Sequence, residues 1–201
     1  MSKTLLLEAI DEARKNLNAF YDASAVHQEF ENVTNAIVAS LKKGGCLFVA
    51  GNGGSAADAQ HFVAELVVKL SKDRDPIKAV ALTVDTSIIT AAGNDFSYDD
   101  IFSRQVEALV GPNDIFMGIT TSGNSPNILK CFAACKKIGA KSILLSGKDG
   151  GRAVKEKMAD FNLIVPGPNT ARIQESHEIL YHTLCWALEV QLVKDGFIKY
   201  R

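Results

Sequence analysis

Four side chains of types suited to proton transfer or metal binding lie in two separate helical stretches. His61 and Glu65 are spaced i, i+4 within residues 58–66, so they share one helix face. An imidazole and a carboxylate at this spacing can give two ligands to a divalent metal, and the carboxylate can equally act as a base. An isolated pair of this kind also reads as an ordinary surface pair. Gln174 and His182 lie within residues 172–185, where Gln174, Glu178 and His182 follow a four-residue step and face one side of a helix. His177 and His182, each taken alone, read as satisfied core or interface histidines. Glu175 and Glu178 are expected to be solvated or paired. Moving a proton between C1 and C2 of an open-chain sugar through a cis-enediol needs one carboxylate at carbon. It also needs a second acid, or a metal, at the oxygens. Glu65 and His182 meet that requirement in kind.

Two loops between these stretches suit a phosphorylated ligand. The first, Gly51-Asn52-Gly53-Gly54-Ser55, follows an apolar run and opens a helix. Its glycines permit positive φ angles and close backbone approach, and Ser55 reads as an N-cap with Asp58 as its acid partner. The second, Thr120-Thr121-Ser122-Gly123-Asn124-Ser125, sets four hydroxyls around one glycine, with Ser125 as N-cap and Pro126 at the first helical position. Hydroxyls and free N–H groups at a helix N-terminus can hold a phosphate without a lysine. Neither loop carries a dinucleotide fingerprint or a P-loop. Either one alone also reads as a tight, capped strand-to-helix turn. Asn94 and Asp95, after Gly93, form a third candidate for sugar hydroxyls, or an ordinary turn.

These residues need a scaffold, and the apolar pattern predicts one. Residues 4–42 read as helix, with a bend near 21–25 and a glycine stop at Gly44 and Gly45. Five apolar runs at 46–50, 79–83, 115–119, 142–145 and 163–165 read as strands. Helical patterns lie between them near 55–71, 86–92 with 98–110, 126–138 and 150–158. Strands alternating with helices predict an α/β fold, with a five-stranded parallel sheet flanked by helices. The C-terminal stretch 172–194 and the N-terminal helical region leave more apolar surface than so small a sheet can cover, which predicts oligomerisation.

With 201 residues, 47% apolar and 22% charged, the chain suffices for one packed domain over residues 1–201. A net charge of −1, with scattered basic residues, gives no electrostatic case for nucleic acid or an anionic membrane. No apolar run approaches the roughly 20 residues of a membrane span, and residues 1–8 meet an acid too soon for a signal peptide. Cys46, Cys131, Cys135 and Cys185 form no Cys-x-x-Cys, which leads us to expect buried thiols in a reducing cytoplasm.

The motifs together resemble the bacterial phosphoheptose isomerases, a family of sugar-isomerase (SIS) fold. The resemblance is carried by Gly51-Asn52-Gly53-Gly54-Ser55, Asp58-Ala59-Gln60-His61-Phe62 with Glu65, and Gly93-Asn94-Asp95. Residues 101–108, Thr121-Ser122-Gly123-Asn124-Ser125 and Arg172-Ile173-Gln174-Glu175 with His182 complete it. It runs from about residue 30 to residue 190. It implies conversion of sedoheptulose 7-phosphate to D-glycero-D-manno-heptose 7-phosphate, the first step toward heptose for surface polysaccharide. It further implies a homotetramer with active sites at subunit interfaces, with Glu65 as base and His182 as partner acid/base. Substrate contacts are implied from Asn52, Gly53, Gly54, Ser55, Glu65, Asn94, Asp95, Thr120, Thr121, Ser122, Ser125 and Gln174. Some members hold zinc at the positions of His61, Glu65, Gln174 and His182. The chain departs from the pattern at Thr120, where serine is usual, and at Asn169 and Ala171, where some members carry aspartate. A non-enzymatic SIS tetramer that binds a replication initiator is the alternative, and such relatives lack the equivalents of Glu65 and His182.

Overall fold

The computed structural model describes residues 1–201. Two helices, α1 (Ser2–Tyr21) and α2 (Ser24–Lys42), break where a bend is expected. Then follow β1 (Leu47–Gly51), α3 (Gly54–Val67), β2 (Ala79–Ala81), α4 (Thr86–Asp95), a 3₁₀ turn (Tyr98–Asp100) and α5 (Ser103–Leu109). The chain continues through β3 (Ile115–Thr120), α6 (Pro126–Ile138), β4 (Lys141–Gly147), α7 (Gly151–Lys155), β5 (Phe161–Val165) and the 25-residue α8 (Thr170–Lys194). The five strands are all parallel, in the order β2-β1-β3-β4-β5.

Both sheet faces are covered, which is why the strands read as continuous apolar runs. Alternate residues divide between two cores. Leu47, Val49, Met117 and Leu145 pack with α2, α3 and α8, while Phe48, Ala50, Phe116 and Leu144 pack with Phe102, Val106 and Phe132 of the opposite layer. All four cysteines are buried and unpaired, and burial raises their thiols, Cys46 to about 11 and Cys135 to about 12.

Several boundaries differ from the sequence reading, among them β2, which ends at Ala81, α4, which runs on to Asp95, and β5, which starts at Phe161. Strand β1 runs on to Gly51, because Gly51 pairs with Ile119 of β3. Helix α3 stops at Val67, where the buried Arg74 guanidinium caps its last turn by donating to the Leu66 carbonyl at 2.9 Å and the Glu65 carbonyl at 2.8 Å. Helix α7 is only five residues long.

Candidate active site

In a parallel sheet of order 2-1-3-4-5 the chain leaves β1 in one direction and β3 in the other. The crevice outside their carboxyl ends is where ligands bind in such folds. Both candidate loops rise from that crevice, the first from β1 and the second from β3.

In the first loop the N-cap of α3 is Gly53, at φ +55°, and not the expected Ser55. Ser55 lies inside the first turn and is buried, its N–H donating to the Asn52 carbonyl at 3.0 Å. Asp58 is therefore no capping partner, and its Oδ2 is buried without a hydrogen bond. The Asn52 amide is tied to Asn127 at the start of α6 by two reciprocal bonds of 2.9 and 2.8 Å, and the Tyr98 hydroxyl donates to Asn52 Oδ1 at 3.0 Å. Asn127 is 1% exposed, so it locks the first loop to the second.

In the second loop Ser125 is the N-cap with Pro126 behind it, as expected. Its hydroxyl makes no capping bond but pairs with the Thr120 hydroxyl at 2.8 Å. Gly123 sits at φ +66°, where an added Cβ would lie 1.8 Å from the Gly150 carbonyl oxygen, so only glycine fits against the β4–α7 turn. Asn124 holds the same turn by accepting from the Arg152 N–H at 2.9 Å. Thr121 and Ser122 are half-buried beside it.

Helix α8 brings the second half of the site against α3. Gln174 lies over the first loop, close enough that a Cβ on Gly54 would meet its Nε2 at 2.3 Å. Two turns on, His182 Nε2 lies 3.5 Å from His61 Nε2, and Glu65 Oε1 lies 3.2 Å from that same nitrogen. Glu178 joins them, since one ligand atom from each of His61, Glu178 and His182 falls within 4.8 Å of the other two. On the other side of the His61 ring, Nδ1 is 3.0 Å from the Tyr181 hydroxyl. Burial and the neighbouring Glu178 carboxylate push Asp58 up to about 6, against the pull of His61.

The donor types fit a zinc ion, and the three groups whose ligand atoms lie within 4.8 Å of one another are His61, Glu178 and His182, without Glu65 or Gln174. Four ligands at 2.0–2.1 Å in a tetrahedron stand about 3.3 Å apart, close to the separations of 3.2 and 3.5 Å that meet at His61 Nε2. Imidazole nitrogen and carboxylate oxygen are also the ligand types that suit it.

The family model of the SIS domain matches residues 10–147. A phosphoheptose isomerase of Sulfurimonas denitrificans is 44% identical over 194 residues, which is 96% of this chain and 98% of the relative. One from Campylobacter jejuni is 50% identical over 157 residues, 78% of this chain and 81% of the relative. The chain belongs to the phosphoheptose isomerase family. The solved structure of phosphoheptose isomerase from Neisseria gonorrhoeae, 34% identical, superposes with a TM-score of 0.86 over 94% of this chain and all of that one. As a member of this family the chain is an aldose–ketose isomerase. No helix is long and apolar enough to cross a membrane.

Among the residues that resemblance to the phosphoheptose isomerases singles out, His61, Glu65 and His182 come together in this subunit, and Gln174 reaches the first loop. Asn94 and Asp95 end α4 as exposed residues bonded to each other at 2.8 Å, and no hydrogen bond ties them to the His61 cluster. Sequence reasoning missed Asp58, Glu178 and Tyr181. Glu178 had a usable signal, because it shares the four-residue step with Gln174 and His182.

Proposed function

We propose that the chain interconverts D-sedoheptulose 7-phosphate and D-glycero-D-manno-heptose 7-phosphate, supplying heptose for a surface polysaccharide. The observation that carries this reading is the meeting of Glu65 and His182 at His61 Nε2, beside two anion-suited loops at the sheet crevice. The phosphate rests on the second loop, among the hydroxyls of Thr120, Thr121, Ser122 and Ser125 and the N-terminus of α6. Asn52, Gly53, Gly54, Ser55 and Gln174 hold the sugar hydroxyls, with Asn94 and Asp95 at the rim. Glu65 takes a proton from C1 of the open-chain ketose, which leaves a cis-enediol, and returns it to C2. His182 gives a proton to O2 and receives the one leaving O1, so the sugar gains and loses none.

His61, Glu65, Gln174 and His182 would hold one zinc ion per subunit, which when bound supplies polarisation of the substrate carbonyl. We place the working form as a homotetramer in the cytoplasm, with sites at subunit interfaces. Two surfaces support this assembly. Helix α1 exposes Leu5, Leu6, Leu7 and Ile10 by 55–61%, while its one buried residue is the polar Asn16. Trp186, one turn beyond His182, is 63% exposed. Faces of this kind are covered by other copies in oligomers.

Isomerisation of sedoheptulose 7-phosphate by the purified chain, with and without chelator and added zinc, tests the proposal. Turnover lost to chelator and restored by zinc supports the metal-bound site. Turnover indifferent to chelator keeps the isomerase but removes the metal from it. No turnover with or without zinc refutes this substrate.

A further inference from the structure

His61 is held from both sides of its ring, and the group on the far side is not one that the isomerase reaction itself calls for. Tyr181 is 1% exposed, and its ring stacks on Phe62 with centroids 5.6 Å apart and planes 28° from parallel. Phe62 is itself fully buried and adjoins His61 on α3. The phenol is therefore fixed by packing, with its oxygen 3.0 Å from His61 Nδ1.

We propose that Tyr181 is a positioning residue for His61, whose hydroxyl aims Nε2 at Glu65 and His182 and exchanges donor for acceptor as the ring changes tautomer. The inference rests on the zinc reading of this site for its second half only. A neutral imidazole has one N–H and one bare nitrogen. Glu65 can only accept, so while its Oε1 faces Nε2 at 3.2 Å the ring proton sits on Nε2 and Tyr181 donates to Nδ1. A cation at Nε2 needs that nitrogen bare, so the ring then carries its proton on Nδ1 and donates it to the Tyr181 oxygen. The ring gains one proton and loses one, and stays neutral throughout. The phenol proton must then turn to another acceptor. Asp58 Oδ2 is buried and makes no hydrogen bond in the structure, so it is left free to take one. A carboxylate in place of Tyr181 could partner only one tautomer, and an apolar side chain neither.

Tyr181→Phe tests this, because it keeps the ring stacked on Phe62 and removes only the hydroxyl. The chain is labelled with ¹⁵N-histidine, and the His61 tautomer is read by NMR with and without zinc. Zinc affinity is measured by competition with a chromogenic chelator, and thermal unfolding confirms that the variant is folded. The expected wild-type result is a single Nε2–H tautomer without metal and a single Nδ1–H tautomer with zinc. The expected variant result is a mixture of tautomers without metal and zinc binding weaker by about 10–100-fold. Equal tautomer populations in the metal-free wild type and variant would overturn the proposal. So would zinc affinities within twofold of each other. A wild-type chain that binds no zinc refutes the metal reading of the site, and Tyr181 is then judged on the metal-free tautomers alone.

Discussion

Gly54→Ala separates the stability of the fold from the geometry of the site. Gly54 is the first residue of α3, and its φ lies outside the left-handed region, so the backbone does not require glycine there. The added Cβ would stand 2.3 Å from Gln174 Nε2, 3.0 Å from its Cδ and 3.2 Å from its Oε1. Ordinary contact begins near 3.4 Å, so the Gln174 amide must retreat by about 1 Å. Because the obstacle is the end of a flexible side chain, the fold gives way cheaply, and alanine is worth up to about 1 kcal/mol over glycine in a helix. Melting temperature should stay level or rise. The site should not tolerate the change, since a 1 Å misplacement of a positioned group costs about 100-fold, equivalent to about 2.7 kcal/mol of barrier. The assay is kcat/KM for sedoheptulose 7-phosphate, paired with thermal unfolding, in a cycle with Gln174→Ala. In the Gln174→Ala background, Gly54→Ala should cost nothing more, because its target is gone. A wild-type kcat/KM in Gly54→Ala, or losses that simply add, would refute the reasoning.

Glu65→Gln should lower kcat by at least about 10²-fold while leaving KM within a few-fold, as steady-state kinetics would show. Arg74→Met should destabilise the chain by about 3–5 kcal/mol in urea unfolding. It strands the buried Glu189 carboxylate, now 3.0 Å from the Arg74 guanidinium, and frees the Glu65 carbonyl. His177 is not the satisfied core histidine expected, since both its ring nitrogens are buried without a hydrogen bond, and burial pushes it down to about 4. The fold thus holds the neutral ring, and its contribution is complete above 6.5. Between 6.5 and 4 the unfolded chain takes a proton that the fold refuses, so stability falls by on the order of 3 kcal/mol as the pH drops. His177→Leu should flatten that part of the stability–pH curve, and an unchanged slope would reject the assignment.

Strand and helix order were legible because most elements are long enough to show their period, the three-residue β2 and five-residue α7 being the exceptions. Every strand lies within two residues of its apolar run at the start, and the glycine stop after α2 and the Ser125-Pro126 start of α6 fall where chain chemistry puts them. The first loop misled because its glycines hide where the helix starts. Gly53 can take the cap position at positive φ, which moves Ser55 inward and leaves Asp58 without a capping role. The deeper limit lies between elements. Periodicity put Gln174, Glu178 and His182 on one face of α8 but could not say what that face meets. Once α8 lies along α3, Glu178 becomes a neighbour of His61, and Tyr181, which reads as core, turns its hydroxyl to the same ring. Asn127, likewise unremarkable after Pro126, proves to be the clamp between the loops.

The charge balance of the cluster adds an argument of its own. Asp58, Glu65 and Glu178 surround two imidazoles, and none of the three carboxylates pairs with a lysine or arginine. Arg74, whose guanidinium reaches the Glu65 carbonyl, spends its bonds on Glu189 and on backbone carbonyls. A substrate that already carries a phosphate would bring further negative charge to this end of the crevice, and an enediol would concentrate it beside Glu65. Two features reduce the cost. The phosphate-suited loop belongs to β3 and α6, apart from the carboxylates on α3 and α8, so the two anionic ends of the problem are held on different elements. Burial first, and the Glu178 carboxylate second, push Asp58 up to about 6, and a divalent cation at His61 Nε2 would offset the second of these along with the developing oxyanion. Adding zinc should therefore lower the Asp58 value, and carboxyl ¹³C shifts followed through pH 4 to 7 should show Asp58 ionising earlier in the zinc-loaded chain than in the chelated one. An unmoved titration would place the cation, and with it the polarised carbonyl, elsewhere in the crevice.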